Sequence, residues 1–235
     1  MTITTRSGKG SALTHSEVDA NFVELDTIPN GKVFPKTQNI GIKVDTSTPT
    51  FPWLDLTGEI SIISTAPNPA AMESYRDGIW QIAFDEGDAA FINFHLPHDY
   101  VVGTPIFMHI HWSHNSTVVT GGSATFGFEM IYSKGHNQGA FAASSTLTIL
   151  QNASTTQYQH MIAEAQASTT GGSPVALDTD LLEPDGIICC RVFLDSNDIV
   201  TSNLSVPKPF VHFVDIHYQS TGIGTKNKTP NFWGA

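Results

Sequence analysis

The chain has 235 residues, 40% hydrophobic and 10% aromatic, with 14 Phe, 19 Gly and 13 Pro; this is the usage of a β-protein and enough sequence to bury one sizeable core. Its 11 basic residues against 22 acidic give a formal charge of -11. Because the basic residues do not cluster, that charge repels a phosphate backbone and argues against nucleic acid as a partner. The opening MTITTRSGKGSALT carries no apolar signal core, and no later apolar run approaches the length that spans a bilayer, so synthesis in the cytoplasm and no membrane partner are expected.

The first element is a short helix over about 14–26. Thr14 and Glu17 form a Thr-x-x-Glu capping box, Leu13 is placed to staple onto Val18, and Val18, Phe22 and Leu25 recur at i, i+4 and i+7. A helix this short is marginal alone in water, so its apolar stripe must be covered by the chain's own core or by a partner. From Lys32 to Leu56 the sequence is studded with Pro, Gly and Thr and has neither helical nor sustained strand periodicity. It is expected to run extended. Phe34, Phe51, Trp53 and Leu54 are too apolar for a freely solvated linker, which makes this arm adhesive.

Strands are predicted at 59–64, 79–84, 89–96, 105–113, 124–133, 145–151, 157–165, 186–194 and 209–219. Turn-rich stretches such as Thr120-Gly-Gly-Ser123 and Thr169-Thr-Gly-Gly-Ser-Pro174 separate them. Many short strands without intervening helices indicate an all-β, antiparallel β-sandwich or jelly roll. Parity assigns Ile106, Met108, Ile110 and Trp112, then Phe126, Phe128, Met130 and Tyr132, then Phe210, Val214, Ile216 and Tyr218 to the inner layer. The opposite faces carry His109, His111, Glu129, Asp215 and His217. In 186–194 both faces are largely apolar, which predicts a central strand covered on both sides. Cys189 and Cys190 are adjacent, point to opposite faces and are expected to be reduced packing residues.

The sharpest chemical pattern is Gly103-Thr-Pro-Ile-Phe-Met-His109-Ile-His111, because histidines at i and i+2 on one strand face can ligate one metal ion. It resembles the first motif of the cupins, which are jelly rolls. The Glu that this family places a few residues on is replaced by Asn115 and Ser116, and no second motif follows. Glu129, Asp215 and His217 can complete a ligand set only if their strands lie adjacent. The expectation is therefore a polar outer face or subunit interface, with no metal, no cofactor and no catalytic residue. Ser7-Gly8-Lys9-Gly10-Ser11 lacks the context of a phosphate-binding loop, and there is no Gly-x-Ser-x-Gly elbow.

The segment Thr4-Thr-Arg-Ser-Gly-Lys-Gly-Ser-Ala-Leu-Thr-His-Ser-Glu-Val-Asp-Ala-Asn-Phe22 resembles one that recurs in tailed-bacteriophage virion proteins, tail fibres among them. His109-Ile-His111-Trp112 with Gly127-Phe-Glu-Met-Ile-Tyr132, and Asp215-Ile-His217-Tyr218-Gln219 followed by Gly224-Thr-Lys-Asn-Lys-Thr-Pro-Asn-Phe232, resemble phage structural proteins as well. The resemblance implies a non-enzymatic capsid decoration or cement protein on the virion surface, a homotrimer whose partner is the major capsid protein. The alternative it implies is a tail fibre, adaptor or receptor-binding tail component with tail proteins as partners; a metal-dependent cupin-like enzyme is the third reading. The expected organisation is an arm over 1–56, a sandwich over 57–222 and a tail over 223–235. Leu13, Val18, Phe22, Leu25, Phe34, Phe51, Trp53, Phe232 and Trp233 are the expected partner contacts.

Overall fold

A computed structural model describes residues 10–16, 18, 51–222 and 227–232, together with the backbone of 32–35 and 42–45. Two compact units result, Met1–Pro52 and Trp53–Ala235.

In the first unit, residues 15, 16 and 18 are helical and the Val18 amide donates to the Thr14 carbonyl at 3.1 Å, an i→i−4 bond at the expected helix start. Leu13 and Val18 are partly buried; Phe22 and Leu25 lie outside the described residues. The stretch read as irregular contains two strands, β1 (Lys32–Pro35) and β2 (Ile42–Asp45), paired antiparallel with Lys32 opposite Asp45. Phe34 falls in β1, and its side chain is outside the described residues.

The second unit is built from strands β3 (Trp53–Thr57), β4 (Ala71–Arg76), β5 (Ile79–Ala83), β6 (Ala89–His95), β7 (Phe107–Ser113), β8 (Val119–Gly121), β9 (Ser123–Ser133), β10 (Ser145–Asn152), β11 (Met161–Gln166), β12 (Ser168–Thr169), β13 (Leu177–Asp178), β14 (Ile187–Asn197), β15 (Val200–Thr201) and β16 (Phe210–Gln219). One sheet has the order β10-β9-β14-β6, the other β11-β7-β16-β5-β4, with β3 also paired to β16. All of these pairings are antiparallel. From β6 the chain passes to the other sheet at β7, returns at β9, crosses again at β11, returns at β14 and ends on β16. This alternation makes the sandwich a jelly roll.

The predicted inner layer is the core. Ile106, Met108, Ile110, Trp112, Phe126, Phe128, Met130, Val214 and Ile216 are fully buried, and Trp112 meets Phe126 edge-on at 5.4 Å between centroids. Burying this layer is the main source of stability, at about 25 cal/mol per Å² of apolar surface.

Four expectations need correction. Residues 53–56, read as arm, are strand β3, in register with β16 from Trp53↔Gln219 to Thr57↔Asp215; Leu56 packs against the core. Residues 59–64 form no strand, only a bridge between Ser61 and Phe91. Phe210 does not belong to the inner layer: a bulge at His212 shifts the register between Val211 and Phe213, so Val211 faces the core while Phe210 pairs with Ser113 on the outer side, under Tyr75 at 5.1 Å. Finally, β14 is central, but its outer face is only half-covered, with Ile187 exposed and Cys189, Arg191 and Phe193 partly buried. Cys189 and Cys190 are both free thiols, on opposite faces as expected.

Candidate functional site

The outer face of the six-stranded sheet follows from the same parity that builds the core. With Met108, Ile110 and Trp112 turned inward, Phe107, His109, His111 and Ser113 turn outward. On β16, Phe213, Asp215 and His217 do the same, opposite His111, His109 and Phe107. β3 supplies Trp53 and Asp55, and β11 supplies Glu164 opposite His109. Thr57, Asp215, His109 and Glu164 thus form one row across four neighbouring strands.

Of the ten histidines in the chain, His109, His111, His160, His212 and His217 gather on this face. The Nδ1 of His111 lies 2.9 Å from His160 Nε2, and the two rings stack at 5.0 Å. His109 Nε2 bonds the Glu164 carboxylate. His217 lies between two carboxylates, its Nδ1 3.1 Å from Glu164 and its Nε2 2.6 Å from Asp55. His212 Nε2 is 2.7 Å from the Ser113 hydroxyl, which also meets the Tyr75 hydroxyl at 2.7 Å. Ser113 is fully buried.

Asp215 occupies the centre, and only 3% of it is exposed. Its Oδ1 stands 3.2 Å from His111 Nε2 and 3.8 Å from His109 Nδ1. Neither Asp215 Oδ1 nor His111 Nε2 completes a hydrogen bond, and neither touches solvent. Burial pushes the Asp215 carboxyl above its ordinary value against the pull of the His111 and His109 charges. Burial likewise pulls His111 down despite the Asp215 charge, with His160 and His109 adding repulsion. His212 is lowered for the same reasons, burial first and then His160 and His111.

The face is polar, as expected, and its side chains bond across the strands. Its strands are adjacent, which brings His109, His111, Asp215 and His217 together. Glu129 does not join them: it lies on β9 in the other sheet, where it meets Arg191 at 3.5 Å and accepts from the Ser144 hydroxyl at 3.1 Å. Glu164, Asp55 and His160 were not singled out from the sequence. Glu164 sat in a predicted strand without a register, and Asp55 in the segment read as arm.

Beside the cluster, an open cleft of about 410 Å³ is lined by Trp53, Phe107, Glu164 and His217. Trp53 is 47% exposed and meets Phe107 edge-on at 5.4 Å. Phe51 is partly buried. Phe232, which the sequence leaves open between a neighbouring protomer and its own sheet, is buried to 3% exposure, edge-on to His98 at 5.6 Å and His136 at 6.1 Å. Trp233 lies outside the described residues.

No protein-family model matches the sequence, and no curated protein does. Among solved structures, a xylan-binding module of family CBM15 is similar over 72% of this chain and 97% of its own, at 8% identity and TM-score 0.36. The CBM22-1-GH10 modules of a Clostridium thermocellum xylanase are similar over 74% of this chain and 27% of theirs, at 10% identity and TM-score 0.33. A CBM35 from Cellvibrio japonicus is similar over 70% and 92%, at 10% identity and TM-score 0.30. Likeness this distant carries no argument about what the present chain binds.

Proposed function

We propose that this chain is a non-enzymatic structural protein of a tailed-bacteriophage particle, a capsid decoration or cement protein. In this reading the N-terminal unit attaches to the shell and the sandwich, as a homotrimer, stands on it. One observation carries the reading: the division between a unit ending at Pro52, which contains the virion-like segment Thr4–Phe22, and a separate sandwich beginning at Trp53. Several linked copies of one attachment segment hold far better than a single copy. The major capsid protein is the partner this reading requires.

The same N-terminal segment favours a tail fibre or adaptor as the second reading, and copy number separates the two. Quantitative mass spectrometry of purified particles should give a count on the scale of the shell subunits. A count on the scale of tail subunits sinks the capsid assignment. Attachment is tested with the chain trimmed to residues 53–235, which keeps β3 and its pairing with β16. This sandwich should fail to bind empty capsids that the full chain binds; equal binding removes the N-terminal unit from the role given to it.

A further inference from the structure

The outer-face cluster contains a defect that the particle role does not explain. Asp215 Oδ1 and His111 Nε2 are buried and 3.2 Å apart, an ion-pair contact whose geometry completes no hydrogen bond, and neither has another hydrogen-bond partner. A buried polar atom left unpaired costs about 1–3 kcal/mol, more for a charged group. Asp215 Oδ1 thus has two imidazole nitrogens around it, His111 Nε2 at 3.2 Å and His109 Nδ1 at 3.8 Å. His109, His111 and Asp215 each offer one ligand atom, all within 4.8 Å of one another. Bonds of about 2.0–2.2 Å in a tetrahedral arrangement place ligand atoms about 3.3–3.6 Å apart, between the two spacings.

The far sides of the two imidazoles are also occupied as a ligand's would be. His109 presents Nδ1 to the centre while its Nε2 bonds Glu164, and His111 presents Nε2 while its Nδ1 bonds His160. A metal-bound histidine almost always donates its second N–H to a carboxylate, a carbonyl or water; His109 has the carboxylate, and His111 has an imidazole nitrogen in that place. We propose that His109 Nδ1, His111 Nε2 and Asp215 Oδ1 bind one divalent transition-metal ion of the zinc class, a structural ion that ties β7 to β16 across the outer face of the sheet. The neighbouring group of His109, Glu164 and His217 is the weaker constellation, because its atoms already satisfy one another: Glu164 bonds both histidines and Asp55 takes the second nitrogen of His217. Nitrogen and carboxylate donors without thiolate suit zinc, cobalt or iron(II) and disfavour calcium.

The test uses the full chain, stripped with chelator and titrated with Co²⁺ and, separately, Zn²⁺. One ion per chain is expected, with ligand-field bands of low-coordinate Co²⁺ in the visible spectrum and a rise in melting temperature. Asp215→Asn and His111→Gln should each weaken uptake about 100-fold or more, and Glu164→Gln by about 10–100-fold through loss of the bond that orients His109. His217→Gln and Glu129→Gln should bind as the parent does. Melting curves in metal-free buffer establish that each variant is folded, and Co²⁺ titration of the unmodified chain needs no variant. Absence of stoichiometric Co²⁺ and Zn²⁺ uptake overturns the proposal. So does uptake that survives Asp215→Asn and His111→Gln, or that is lost with His217→Gln, which would move the ion to the Glu164 side.

Discussion

Two aspartates in this sandwich each face several histidines, and their carboxyls are displaced in opposite directions. Asp185, in the turn before β14, meets His136 at 2.7 Å, His98 at 3.0 Å and His95 at 3.3 Å, and its side chain is 15% exposed. Burial raises this carboxyl, but the hydrogen bond from His136 and the charges of His98, His95 and His136 outweigh it and hold it below 3.8. Asp215 is 4% exposed at its side chain and has one oxygen without a completed bond, and for it burial wins. Histidine number is thus not what decides the state of a carboxylate. Completed hydrogen bonds and remaining solvent decide it.

The largest effect expected on this contrast comes from uncovering the Asp215 side. A chain beginning at Gly58 loses β3, and with it Asp55 beside His217, the Trp53–Phe107 contact and the core packing of Leu56. Compared with residues 53–235, it should be less stable by at least about 3 kcal/mol, since burying one large apolar side chain alone is worth about 1.5–3 kcal/mol. Urea unfolding of the two chains measures this. Equal midpoints would mean that β3 is an ornament on the sheet and that Asp215 owes its burial to other elements.

Next in size is Asp185→Asn, which replaces charge-assisted bonds by neutral ones and should cost about 1–2 kcal/mol at pH 5. A carboxyl held below 3.8 favours the folded chain at pH above 3.8 and loses that contribution as the pH falls through its lowered value. The unmodified chain should therefore lose stability steeply below about pH 4, and the variant should show a shallower limb there. Melting temperatures recorded across that range decide it. Because His98 and His136 also pack on Phe232, the variant should expose the C-terminal segment to proteolysis earlier than the parent.

Asp215→Asn should go the other way. It removes a charge buried without a complete set of partners, and an isosteric neutral group in such a place is tolerated or stabilising. In metal-free buffer its urea midpoint should equal or exceed the parent's by up to about 1 kcal/mol. A clear loss would mean that the carboxylate is fully engaged by His109 and His111, as Asp185 is by its own histidines.

Much of this contrast was legible in the sequence, and the illegible part has physical causes. Alternation in 105–113 and 124–133 placed the core correctly, because an antiparallel strand with one buried face must alternate. It also turned His109, His111, Asp215 and His217 outward together. Alternation says nothing about which strands are neighbours, so Glu164 and Asp55 could not be joined to them, and Glu129 could not be separated. It fails where a bulge intervenes, and His212 moved Phe210 off the core face. Strand β4, Ala-Met-Glu-Ser-Tyr-Arg, has no β-branched residue, and its pattern alone predicts no strand. Its turn was readable: Asp77 and Gly78 both take positive φ, 48° and 83°, as the two-residue hairpin signal Asp-Gly requires. Whether Phe232 packs on its own sheet or on a neighbour is open in the sequence, because nothing there places His98 and His136 against it.

Glu129 supplies the smallest prediction and the control for all the others. It is an acidic side chain on an outer sheet face, like Asp215, and it too has a partner on the adjacent strand, since Glu129 and Arg191 are in register on β9 and β14. Here the charges meet at 3.5 Å with side chains 40% and 36% exposed, and Arg191 also lies over the Phe193 ring at 4.5 Å. A pair so well solvated is worth about 0–1 kcal/mol, and its attraction falls with salt. Glu129→Gln should therefore shift the urea midpoint by no more than about 0.5 kcal/mol, and high salt should erase even that. A larger loss would show that the four-stranded face is covered in the assembled protein, because only burial could give this pair the weight that exposure denies it.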